Sequence, residues 1–121
     1  MDMGYPNGTA TLVCLSDGTT SLYTSSGSGF IGGGAHPDVV RENVKLLRTL
    51  SDHLDLMAAG KDDSLPQVGR TVIRALTATG QRTYESTDDE LGEGRSVMSP
   101  VFYAAHDVIT QLRLIDEAAS R

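Results

Sequence analysis

A chain of 121 residues is one domain's worth of polypeptide, and folding at this length hides roughly 65% of the surface its unfolded form exposes. Hydrophobic residues make up 39% and aromatics only 5%, with no Trp, so Leu, Val and Ile must supply most of the core. Ten Lys and Arg against sixteen Asp and Glu give a net charge of −6, which speaks against nucleic acid or an anionic membrane as partner, because both demand clustered cations.

No apolar run approaches the ~18 residues of a membrane span. The segment Met1 to Asn7 has neither the basic start nor the hydrophobic stretch of a signal peptide. Residues 1–8 are expected as a disordered tail on a single domain covering 1–121. The lone cysteine, Cys14, cannot form an internal disulfide and suits a reducing cytosol, so the chain is expected to be cytoplasmic.

Thr9 to Ser16 is apolar and β-branched, ends at Asp17-Gly18, and is followed at once by Thr19 to Ser25. Asp-Gly between two such runs predicts a hairpin with a two-residue turn. That turn sets Cys14 opposite Ser21, Val13 opposite Leu22 and Leu12 opposite Tyr23. Val13, Leu15 and Leu22 then share one face, and Leu12, Cys14 and Tyr23 the other, so both faces are apolar. Pro37 suits the first position of a helix. From Val39 to Met57 apolar residues recur at helical spacing, predicting that Leu47, Leu50 and Leu54 are buried and Arg41, Lys45 and Arg48 exposed.

Gly69 to Ala78 reads as a strand, with Thr79-Gly80 as a turn and Gln81 to Ser86 as its partner, setting Arg74 opposite Glu85. Thr87 to Met98 reads as a long acidic loop, with a short fifth strand possible near Ser96–Met98. Ser99-Pro100 then opens a second helix to about Ala118, with Val101, Ala105, Val108, Leu112 and Ile115 on its stripe. The predicted class is α+β: an antiparallel sheet of four to five strands with two principal helices, in the order ββαββα.

This order resembles the profilin-like group, and within it the roadblock/light-chain-7 domains without their leading helix. The resemblance covers Thr9 to Ala118 in topology alone and implies domains that pair through sheet and helix. The phrases GSGFIGGGAH and SPVFYAAHDVITQLRLI are similar to parts of small bacterial proteins, a resemblance that implies no activity.

Gly27 to Gly32 matches G-x-G-x-x-G, but a dinucleotide site needs the helix to open inside the motif, after a strand of a parallel βαβ unit. Here the strand closes a hairpin and the helix waits for Pro37. The glycines read first as a connection that lets the backbone turn and pack closely. The alternative is a small-ligand or anion site at Ser28, Gly32, Gly33, Gly34 and His36, built from backbone N–H groups ahead of a helix. His36, His53 and His106 lack metal-ligand spacing, and no catalytic set is evident, so neither enzyme activity nor a cofactor or metal is expected. The leading expectation is a cytosolic protein–protein interaction module that self-associates as a homodimer, with Leu12, Cys14 and Tyr23 at or near the interface.

Overall fold

The computed structural model describes residues 1–27, 29–30, 32–60 and 64–119. The chain is α+β. Among the described residues one sheet holds seven strands: β1 (Asp2–Tyr5), β2 (Gly8–Cys14), β3 (Thr20–Thr24), β4 (Gly29–Phe30), β5 (Ala58–Ala59), β6 (Arg70–Thr77) and β7 (Gly80–Thr87). Their spatial order is β4-β3-β2-β1-β6-β7-β5, and every pairing is antiparallel. Helices α1 (Pro37–Asp52) and α3 (Ser99–Ala119) pack on each other and on one face of the sheet, and α2 (Asp88–Gly92) is a single short turn. The sheet exceeds the expected four to five strands because β1, β4 and β5 are too short to carry a hydrophobic period.

The expected disordered tail is instead the strand at the centre of the sheet. Met3 pairs with Ala10 on one side and Thr71 on the other, so β1 joins the two halves of the molecule. Pro6-Asn7 forms the two-residue link to β2, with Tyr5 opposite Gly8. A polar network holds β1 laterally. Asp2 accepts from the Thr11 hydroxyl at 2.5 Å and from the Arg74 guanidinium, whose second nitrogen donates to the Ser64 carbonyl at 2.6 Å. The segment 64–69 then crosses the face opposite the helices, where a Cβ at Gly4 would run into Gln67 O, and rejoins the sheet as Gly69 N donates to Gly4 O at 3.0 Å.

The first hairpin forms with a different register. Leu12 faces Leu22, Val13 faces Ser21 and Thr11 faces Tyr23. The turn has three residues, not two: Gly18 N donates to Leu15 O at 3.0 Å and Leu15 N to Thr19 O at 2.9 Å. Gly18 sits at φ +94°, as the bulge after such a turn requires. Asp17 contributes by accepting from Thr19 N at 2.9 Å. One extra turn residue swaps the side-chain sets: Leu12, Cys14 and Leu22 now face the helices, and Val13, Leu15 and Tyr23 face away.

The second hairpin turns one residue early, at Ala78-Thr79, because Thr77 Oγ1 accepts from Thr79 N and donates to Gly80 O. Arg74 therefore lies opposite Thr83, and Glu85 pairs with Arg70 at 2.5 Å. The acidic stretch after Thr87 folds into α2: the Thr87 side chain accepts from Glu90 N at 3.2 Å, and Leu91 is buried. Ser96–Met98 is a turn leading into α3, with no strand there.

The core is Leu12, Ile73 and Ala75 from the sheet against Val39 and Leu46 of α1 and Val101, Ala105, Val108 and Leu112 of α3. Arg41, Lys45 and Arg48 are exposed as expected, but Leu47, Leu50 and Leu54 are only half-buried. The buried positions of α1 include Asn43, whose amide donates to Thr20 Oγ1 at 2.7 Å and reaches Thr19 O at 3.3 Å. That side chain stitches α1 to the turn of the first hairpin.

Candidate functional site

The glycine-rich connection leaves β3, forms β4, passes through a 3₁₀ turn at Gly33–Ala35 and enters α1 at Pro37. Ser28 lies outside the described residues. Gly32 caps the 3₁₀ turn at φ +91°. Gly33 is buried, and a Cβ there would stand 2.9 Å from Leu112 Cδ2 and 3.0 Å from Thr20 O. At Gly34 it would stand 3.0 Å from Gly18 O. These two glycines let the connection lie directly on β3, on the first hairpin's turn and on α3. His36 takes the N-cap position of α1 without a side-chain capping bond, its backbone N donating to Gly33 O at 3.0 Å. Asp38 in the first turn pairs with Arg41 at 3.1 Å.

The three residues expected at an interface are divided between the faces. Leu12 is in the core and Cys14 packs against it, half-buried. Burial pushes the Cys14 thiol up to about 11, so it is held protonated and unreactive. Tyr23, by contrast, is 45% exposed on the opposite face, which also carries Leu15, 46% exposed, at the other end of the hairpin. His53 Nδ1 contacts Thr49 O at 2.7 Å, and His106 stacks edge-on with Phe102 at 4.4 Å between ring centroids. Among the described residues no group of three potential ligands could hold a metal ion.

One concavity was not foreseen. β1 pairs with β6 only through Asp2 and Met3, whereas β2 runs on to Cys14 and β6 to Thr77. Beyond Met1 the two strands face each other across a slot that β1 no longer fills. This slot opens into a cleft of about 800 Å³, floored by Leu46, Leu50 and Leu54 of the α1 segment and by Val101 and Ala105 of α3. It is the reason Leu47, Leu50 and Leu54 are half-buried: they line an opening, not a closed core. The slot could not be read from the sequence without β1, and the available mark of β1 was the turn signal Pro6-Asn7-Gly8.

No family model matches this chain, and comparison with curated proteins and with solved structures gives no match. Among the described residues no helix is long and apolar enough to cross a membrane.

Proposed function

We propose that this chain is a small protein–protein interaction module that works as a homodimer in the cytosol. The observation that carries the reading is the uncovered face of the first hairpin. Both long helices lie on the Leu12 side, while Val13, Leu15 and Tyr23 point away from them with nothing packed over Tyr23 and Leu15. An apolar group on a sheet face is commonly covered by a partner, and a two-fold pairing of identical faces is the simplest closed arrangement. The resemblance to roadblock/light-chain-7 domains, which pair through sheet and helix, agrees with it.

Sedimentation equilibrium at micromolar concentration tests the proposal. The expected species is twice 12.9 kDa, shifting to the single mass on Tyr23→Asp. A single species near 12.9 kDa throughout would overturn it.

A further inference from the structure

We infer that two copies of this chain form a sandwich in which each seats its segment 64–69 on the bare first hairpin of the other, about a two-fold axis parallel to β1. The inference deepens the homodimer reading and rests on it. What it adds is the orientation of the two copies and a second contact surface, the strap formed by 64–69.

The face opposite the helices has two levels. Over β1 and β6 the strap lies on the sheet, anchored where Arg74 donates to Ser64 O at 2.6 Å and where Gly69 N donates to Gly4 O at 3.0 Å. It sits close because Gly4 has no side chain there to hold it off. Val72, between these anchors, is buried, whereas Leu65 and Val68 of the strap stand 66% and 62% exposed. Over β2 and β3 the face drops by the thickness of the strap and presents Leu15 and Tyr23. The molecule thus carries a ridge on one side of β1 and a shelf on the other, both apolar.

This relief decides how two such faces can meet. A two-fold axis between packed faces lies in the plane of the contact. An axis across the strands would set strap on strap and hold the hairpins apart. An axis along β1 sets ridge on shelf twice over, and the two sheets close to the usual sandwich spacing of about 10 Å. The strand registers then name the contacts. Tyr23, Thr11, Asp2, Val72 and Glu85 form one row across the sheet. Leu15 follows Thr11, and Leu76 follows Val72, by the same number of residues in the same direction and on the same face. The axis exchanges the places of β2 and β6, so Leu15 meets the partner's Leu76, a side chain 81% exposed in the single chain. Val13 and Thr11 come under the partner's strap, and Tyr23 comes over the partner's Glu85.

Charge does not oppose the pairing, although the chain carries −6. On this face of β1, β2, β3, β6 and β7 the charged residues are Asp2, Arg70, Arg74 and Glu85, which already pair as Arg74–Asp2 and Arg70–Glu85. Strand spacing of about 4.8 Å and rise of about 3.3 Å give these five strands a face of roughly 24 by 23 Å, so two copies bury about 1,100 Å², just above the ~1,000 Å² that a specific interface requires.

Sedimentation equilibrium of the full chain tests the orientation. Leu76→Glu and Leu65→Asp replace exposed side chains, so each should leave the thermal midpoint unchanged while raising the dimer dissociation constant at least about tenfold, by placing a charge in the closed contact. Leu15→Lys should weaken the dimer in the same way. Mixing the Leu15→Lys chain with the Leu76→Glu chain should restore dimers, because one contact then sets Lys against Glu and its symmetry mate keeps Leu against Leu. A mixture that stays monomeric overturns the inference. So does a dimer that Leu76→Glu and Leu65→Asp leave intact but Tyr23→Asp dissociates, a result that keeps the homodimer and sets hairpin on hairpin. An unsubstituted chain that is monomeric throughout overturns both readings and leaves the face to a different protein.

Discussion

Asn43 holds a fully buried amide on an otherwise apolar helix face, and its three near neighbours, Leu15 O, Thr19 O and Thr20 Oγ1, all belong to the first hairpin. Leu15 O and Thr19 O keep their turn bonds without it and Thr20 Oγ1 keeps its bond to Gly18 O, so Asn43→Ala should cost about 1 kcal/mol in urea unfolding, the worth of the lost side-chain bond. Cys14 is predicted to be inert: a thiol raised from 9.0 to about 11 by burial has a roughly hundredfold smaller thiolate fraction at pH 8. Alkylation by iodoacetamide should accelerate by about that factor when urea unfolds the chain. His106 carries a pH dependence. Burial holds its imidazole below 6.5 against the opposing pull of Asp88 and Asp107, with Arg113 adding to the lowering. Below 6.5 the unfolded chain therefore binds the proton that the folded chain refuses, and stability falls as pH falls from 6.5 toward the folded value. Above 6.5 both states are neutral and the contribution is complete. Thermal melts between pH 7.5 and 5 should show this slope, and His106→Gln should flatten it.

At the scale of elements, the two long helices follow directly from their sequence periods, because an amphipathic stripe spanning four turns or more can be buried in only one way. Hairpins are less determined. The runs around Asp17-Gly18 announce a turn, but both faces of β2 are apolar, so alternation cannot say which set faces inward. The side-chain bond from Asp17 to Thr19 N and the positive φ of Gly18 decide for a three-residue turn. Gly18→Ala should accordingly destabilise by about 1–2 kcal/mol, the cost of a Cβ in that backbone region, measurable by denaturant midpoint. The short helix α2 was legible in Thr87-Asp88-Asp89-Glu90, the S/T-x-x-E pattern of a capped helix start. Its acidic composition resembles that of a solvated loop, and only the burial of Leu91 against α3 stabilises a turn this short. Thr87→Ala should cost about 1 kcal/mol in the same measurement.

For the molecule as a whole, β1 is decisive. It is the strand through which β2-β3-β4 and β6-β7-β5 become one sheet. A chain lacking Met1–Tyr5 should lose its cooperative melt by circular dichroism, whereas removal of a disordered tail would leave the midpoint unchanged. The sequence by itself determined the α+β class, the two long helices, the two principal hairpins and the shortage of cationic surface, since each rests on local periodicity, turn chemistry or charge. It also marked the first hairpin as apolar on both faces. Tertiary structure alone decided that Tyr23 and Leu15 are the side left uncovered, that Leu12 and Cys14 are not, and that a cleft lies between β2 and β6 over the two long helices. Those outcomes depend on pairings between residues more than fifty positions apart, such as Asp2 with Val72. Four residues with no period of their own acquire a strand conformation only when edges already formed on both sides supply their hydrogen bonds.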